Sequence, residues 1–291
     1  MTDTKALPTA ILFATDGTQA SGSARVAAAH LARTSGTPLH VVHVWAATGP
    51  FSGAPGVDEE IAAGVASAEA ALIEGPLGCQ VAGIHTPRGS RAHAILATAA
   101  AVGGGLIVVG GRKLGIVEEL FTYRVSEDVV HHSYRPVLLV REDGDDWPPR
   151  RVVVGWDGSP EADRALQLSG WIAGLSKARL MLVTAVNPDE PGAETARHDA
   201  ERALEAGASI VRAPGGMEVT TRVIAGSDVP KVLRDACASP DGAQLLAIGA
   251  RGSSVNNRAP ELSVSRSVTH HTRLPLLLAP AISITTGGAL S

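Results

Sequence analysis

The chain has 291 residues, 45% of them hydrophobic and 19% charged, a balance that excludes a disordered polypeptide. At about 100–200 residues per domain, that length predicts two domains. The formal net charge of −4 comes from 25 basic and 29 acidic residues with no dense basic run, which argues against nucleic acid as a partner.

In chain order, the opening Met1–Ala10 lacks the basic patch, apolar stretch and cleavage site of a signal peptide. A strand is expected over Ile11–Thr15, then a helix from about Ser21 to Ser35 and a strand over Leu39–Trp45. A Gly/Pro-rich loop, Ala46–Gly56, leads to a helix from about Asp58 to Ile73 and a strand over Gln80–His85. A helix from about Arg91 to Ala101 precedes a strand over Leu106–Val109 and a long loop. A short helix from about Ser126 to Ser133 and a strand over Val137–Val140 complete the first half. Residues 94–111 are uncharged and nominally long enough to span a bilayer. Gly103, Gly104 and Gly105 would each cost a helix about 1 kcal/mol relative to Ala, so helix end, turn and buried strand are expected, with no membrane partner. Glu142–Arg151, with its acidic run and Trp-Pro-Pro, reads as a linker, and Ala281–Ser291 as a frayed tail.

The chain then repeats itself. Ile11-Leu12-Phe13-Ala14-Thr15-Asp16-Gly17-Thr18 matches Val152-Val153-Val154-Gly155-Trp156-Asp157-Gly158-Ser159 at an offset of 141. Ile107–Gly110 matches Leu246–Gly249, and Val125, Ser126, His131 and His132 match Val264, Ser265, His270 and His271, all at an offset of 139. Uninterrupted apolar strands alternating with helices indicate parallel sheets covered on both faces. The predicted class is α/β: two doubly wound, parallel, five-stranded sheets in tandem, Rossmann-like, over residues 1–141 and 150–280 with a linker at 142–149. Ligands of such sheets lie beyond the carboxyl ends of the strands, where strand order reverses. That puts Asp16 and Gly110 across one crevice, and Asp157 and Gly249 across the other.

The stretch after the fourth strand carries a resemblance. Gly249-Ala250-Arg251-Gly252, nine residues, then Leu262-Ser263-Val264-Ser265 resembles the phosphate loop of ATP-binding universal stress proteins, which reads glycine, two residues, glycine, nine residues, glycine, Ser or Thr. Only the third glycine is replaced, by Leu262. In the first half, Gly110-Gly111-Arg112-Lys113, nine residues, then Tyr123-Arg124-Val125-Ser126 keeps the first glycine alone, with Lys113, Tyr123 and Arg124 at the other positions. Glycines let backbone amides approach phosphates, and a following helix N-terminus favours the anion. The resemblance implies an adenine nucleotide alpha hydrolase-like fold and binding of ATP, with Mg2+ as its counter-ion, mainly by the second half. The implied contacts are Gly155, Asp157, Ala185, Gly249, Gly252, Ser263, Val264 and Ser265 there, and, more weakly, Ala14, Asp16, Val44, Gly110, Val125 and Ser126 in the first half. It also implies pairing through the last strands, between halves or between chains, and an unidentified protein partner.

Other chemistry finds less support. The His131-His132 and His270-His271 pairs point about 100° apart on a helix and do not jointly chelate. Glu118, Glu119 and Asp143–Asp146 read as solvated charge, with no nucleophile beside them. No GxxxxGK[ST] or strand-linked GxGxxG occurs. Cys79 and Cys237 are too few for a disulfide framework and read as bystanders in a reducing cytoplasm. The expected function is a nucleotide-responsive regulator of the stress response without catalytic turnover. Its competitors are a scaffold that has lost nucleotide binding and, less favoured, a slow ATP-hydrolysing enzyme.

Overall fold

The computed structural model describes residues 7–45, 56–111, 122–142, 147–212, 216–238, 242–250 and 264–280. The first half runs β1 (Ile11–Ala14), α1 (Gly22–Ser35), β2 (Leu39–Val42), α2 (Val57–Glu74), β3 (Val81–His85), α3 (Arg91–Ala101), β4 (Leu106–Gly111), α4 (Thr122–His132) and β5 (Val137–Arg141). The second runs β6 (Arg151–Gly155), α5 (Pro160–Ser176), β7 (Arg179–Val186), α6 (Ala193–Val211), β8 (Val219–Ala225), α7 (Val229–Cys237), β9 (Leu245–Gly249), α8 (Val264–His271) and β10 (Leu276–Ala279). The uncharged stretch 94–111 is the expected helix end, turn and buried strand. Among the described residues no helix is long and apolar enough to cross a membrane. Helix α4 opens four residues before the expected Ser126.

Within each half the strands are parallel, in the order 3-2-1-4-5 by position in that half. The halves do not remain separate sheets. Strand β10 pairs antiparallel with β5, Leu277 opposite Leu138, and one ten-stranded sheet results, ordered β3-β2-β1-β4-β5-β10-β9-β6-β7-β8. The pairing that family resemblance left open is made between the halves, and it occupies the outer edges of both last strands. The physical reason is that β5 and β10 are buried along their whole length, so an unpaired edge would strand backbone groups away from water.

Two apolar layers sandwich this sheet. Helices α1, α2, α5 and α6 cover one face and α3, α4, α7 and α8 the other. Strands such as β1 and β4 are apolar on both sides because each side meets helices, and Ile11, Leu12, Ile107 and Val108 are all fully buried. Ser159 caps α5 by accepting from the Ala162 amide at 3.1 Å, with Pro160 in the first turn. Within the segment expected to be a linker, Trp147 is anchored against the core. It packs into the layer under α1, edge-on to His30 at 6.4 Å between ring centroids. Polar ties also cross between the halves: buried Arg141 donates through Nη2 to the Thr269 carbonyl at 2.6 Å. Glu127 of α4 accepts His270 of α8 at 3.0 Å, with His131 3.6 Å away.

Candidate functional site

The crevice between β1 and β4 opens into a cavity of about 470 Å³. Its floor is the carboxyl ends of three strands: Ala14 of β1, Val109 and Gly110 of β4, and His43, Val44 and Trp45 beyond β2. Its walls come from the first two turns of helices, with Asp58, Ile61 and Ala62 of α2, Arg91 and Ile95 of α3, and Val125 and Ser126 of α4. The turn after β1 adds Thr15, Asp16, Thr18, Ala20 and Ser21. All six weaker positions of the first half, Ala14, Asp16, Val44, Gly110, Val125 and Ser126, are thus brought together around one space.

The Asp-Gly turn shows how the sequence builds this site locally. Asp16 Oδ1 accepts from the Thr18 amide at 3.0 Å, the Thr18 hydroxyl at 2.7 Å and the Ser21 hydroxyl at 2.8 Å. The carboxylate is thereby held at the cavity mouth by its own loop. Gly17 turns at φ +75°, where a Cβ would stand 2.5 Å from Val65 of α2. Beneath it Glu69 is buried, paired with Arg25 at 3.1 Å; burial pushes its carboxyl up, against the pull of Arg25. Gly110 has a packing role: a Cβ there would lie 3.1 Å from the Ala20 carbonyl oxygen and from Ser21 Cα. Its absence lets the turn before α1 close on the end of β4.

His43 Nδ1 lies 3.0 Å from the Thr15 carbonyl oxygen, and because a carbonyl only accepts, Nδ1 carries the proton. Trp45 is fixed by its indole N–H donating to the Thr86 carbonyl at 3.0 Å, and the Arg88 guanidinium stacks 5.4 Å from its ring centroid. The arrangement offers an apolar slot, hydroxyls and a carboxylate on one wall, and the Arg91 cation at the rim. Thr15, Thr18, Ser21, Trp45, Asp58, Ile61 and Arg91 were not singled out from the sequence. Trp45 carried a signal, as one of only four tryptophans in the chain and placed at a strand end. The helix-borne Asp58, Ile61 and Arg91 carried none, since nothing local marks which first turn overhangs the crevice.

The second half repeats the frame with different filling. Asp157 Oδ1 accepts from the Ser159 amide at 3.0 Å and the Ser159 hydroxyl at 2.6 Å. Trp156, where the first half has Thr15, donates its indole N–H to Asp163 at 2.8 Å and lies under α6 against Gly207. Gly155 is packed beneath Leu233 and Ile248, and a Cβ on Gly249 would meet Glu161 Cβ at 2.8 Å and the Ala162 amide nitrogen at 3.0 Å. Ser265 donates to the Ala250 carbonyl at 2.9 Å, tethering α8, which Val264 opens, to the residue after β9. Ala185 sits half-buried near the end of β7. Gly252, Leu262, Ser263, Lys113 and Glu118 and Glu119 lie outside the described residues, as do Asp143–Asp146 and the side chains of Tyr123 and Arg124.

The remaining candidates fall into structural roles. His132 and His271 each donate Nδ1–H to the carbonyl one turn back, of Asp128 and Ser267, both at 2.8 Å. Both cysteines are buried; burial pushes the Cys79 thiol up and that of Cys237 up to about 12, so neither is a thiolate near neutrality. Among the described residues no group of three or more His, Cys, Asp and Glu is arranged to hold a metal ion.

The universal stress protein family matches this sequence twice, over residues 9–141 and 149–280. A universal stress protein from the QAH/OAS sulfhydrylase 3' region of Thermus aquaticus is 34% identical over 138 residues, covering 45% of this chain and 97% of that protein. A solved universal stress protein from Archaeoglobus fulgidus DSM 4304 shares the fold with a TM-score of 0.70 at 21% identity, over 94% of this chain and 98% of that one. A putative universal stress protein from Pseudomonas aeruginosa UCBPP-PA14 does so with a TM-score of 0.61 at 19% identity, over 97% and 96%.

Proposed function

This chain belongs to the universal stress protein family, and we propose that it is a stress-response regulator whose signal is ATP or a related adenine nucleotide. The ligand is held at the carboxyl ends of β1 and β4. The observation that carries the reading is the 470 Å³ cavity at the switch point of the first half, within the roughly 300–1,000 Å³ of small-molecule sites. Ala14, Val44, Ile95 and Val109 supply an apolar slot for a planar base. The Asp16 carboxylate is of the type that accepts a sugar hydroxyl, and the Arg91 cation suits a phosphate. Mg2+ enters with the phosphates rather than on a preformed protein cage. No catalytic step is assigned.

The site has a direct route to the rest of the molecule. Val125 and Ser126 line the cavity, and the next residue, Glu127, pairs with His270 of the other half. A ligand that draws on the start of α4 therefore bears on the junction between the halves.

A second reading places the phosphates in the second half, and the motif Gly249, Gly252, Ser263 favours it. Calorimetric titration of ATP and Mg2+ into the full chain separates the two. Under the first reading, Asp16→Ala weakens binding and Gly252→Asp leaves it unchanged; the reverse pattern moves the site to the second half. Absence of binding, with no nucleotide released from freshly purified, denatured protein, leaves the scaffold reading standing.

A further inference from the structure

On β2 and β3, at the outer edge of the sheet and away from the cavity lining, two histidines face each other. His40 Nδ1 and His85 Nε2 are 3.1 Å apart, their rings tilted by 36° with centroids 5.3 Å apart. Three features make this more than a chance neighbour pair. Strand β2 steps out of register with β3 between Leu39 and His40, which sets His40 opposite Gly83 and Val42 opposite His85. Gly83 lies beside both rings. The three heavy atoms nearest to a Cβ placed on it are His40 Nδ1 at 2.8 Å, His40 Cε1 at 3.3 Å and His85 Nε2 at 3.3 Å. The two nitrogens thus converge on a notch that any side chain at residue 83 would fill. Both rings are half-buried but not sealed, so a small ion and its waters reach them. In the second half, Met181 stands at the position of His40.

We propose that His40 and His85 form a two-imidazole site for a late first-row divalent cation, Cu2+ above all, seated over Gly83. The distance fits: with metal–nitrogen bonds of about 2.0–2.1 Å, nitrogens 3.1 Å apart subtend roughly 100° at the metal. That angle lies between the cis positions of a square or octahedral shell and a tetrahedral one. Imidazole-only donors suit Cu2+, which heads the Irving–Williams order, and disfavour Mg2+ and Ca2+, which take oxygen. With two protein ligands the remaining positions are water, which describes an exchangeable site rather than a closed structural one. In the metal-free pair one ring donates its N–H to the other. On binding, the donor ring moves that proton to its second nitrogen, so two lone pairs face the ion and both rings stay neutral.

The test uses the untagged full chain and Cu2+ itself as probe, in calorimetry against a glycine competitor, with the ring signals of 15N-histidine followed by NMR. The wild type is expected to bind one Cu2+ more tightly than any other, with the His40 and His85 ring signals broadening first. His40→Gln and His85→Gln each remove the second, intramolecular attachment and should weaken that site by at least ~10-fold. Gly83→Ala keeps both histidines and fills the notch, so it should weaken the site as well, while His93→Gln should not. Should His40→Gln and His85→Gln both bind Cu2+ as the wild type does, or should other histidines broaden first, the pair is a hydrogen bond only and the proposal is wrong.

Discussion

Replacing Gly249 by alanine separates two reasons for a glycine at the end of β9. The phosphate-loop resemblance calls for close approach of backbone to a ligand. The structure supplies a second requirement that holds with no ligand at all, because the added Cβ would stand 2.8 Å from Glu161 Cβ, 3.0 Å from the Ala162 amide nitrogen and 3.1 Å from the Glu161 carbonyl carbon. Two of these are backbone atoms in the first turn of α5. The clash cannot be relieved by turning a side chain, and α5 must shift off the sheet. Overpacking of this kind costs about 1–3 kcal/mol. Gly174, inside α5, is the control: a Cβ there meets nothing within 4 Å, so alanine should stabilise by roughly 0.5–1 kcal/mol through helix propensity. Urea unfolding followed by far-ultraviolet circular dichroism, without nucleotide, should therefore move the midpoint down for Gly249→Ala and up for Gly174→Ala. Equal midpoints for Gly249→Ala and wild type would refute the packing argument and leave ligand approach as the reason for the glycine.

Three further outcomes are expected. Ser159→Ala removes the side-chain cap of α5 and should cost about 1 kcal/mol, whereas Thr18→Ala, at a position where no side-chain cap is made, should cost less in the same urea assay. His30, His40 and His85 all have pKa values lowered by burial, helped by Arg33 at His30 and by His85 at His40. The folded state therefore binds fewer protons than the unfolded one. Their contribution is present above the ordinary value of about 6.5 and is lost as pH falls through the lowered values. Unfolding free energy should drop between pH 7.5 and 5.5, and His30→Gln with His85→Gln should flatten that slope; an unchanged slope would contradict the assignment. A fragment of residues 150–291 leaves the β10 edge, which β5 covers in the full chain, without its partner. Sedimentation should find it dimeric through that edge; a monomeric fragment would show that the edge is not adhesive.

Much of the fold was legible because its signals are local. Apolar runs such as Ile11–Ala14 and Leu245–Ile248 name strands buried on both faces, and the offset between Asp16 and Asp157 fixes the duplication. The crevice between the first and fourth strands follows from that pattern, because a doubly wound sheet binds ligands where its strand order reverses, whereas the order itself came from the structure. The start of α4 was missed because its first turn, Thr122–Val125, has no cap signal in the sequence to mark it.

By itself, the sequence determined that there are two α/β halves, where their strands lie, and which turns end in Asp-Gly. What those halves do to each other and to the site was set by packing across the whole chain. Local hydrophobic pattern states that β5 and β10 must be covered, but not by what; their mutual antiparallel pairing is one of several ways to satisfy the same edges. The cavity draws Asp58, Ile61 and Arg91 from helices whose separation in sequence bears no relation to their distance in space. His40 and His85, 45 residues apart, meet only because β2 steps out of register beside a glycine. Each of these depends on which surfaces face one another after packing, and that information is not written in any one segment.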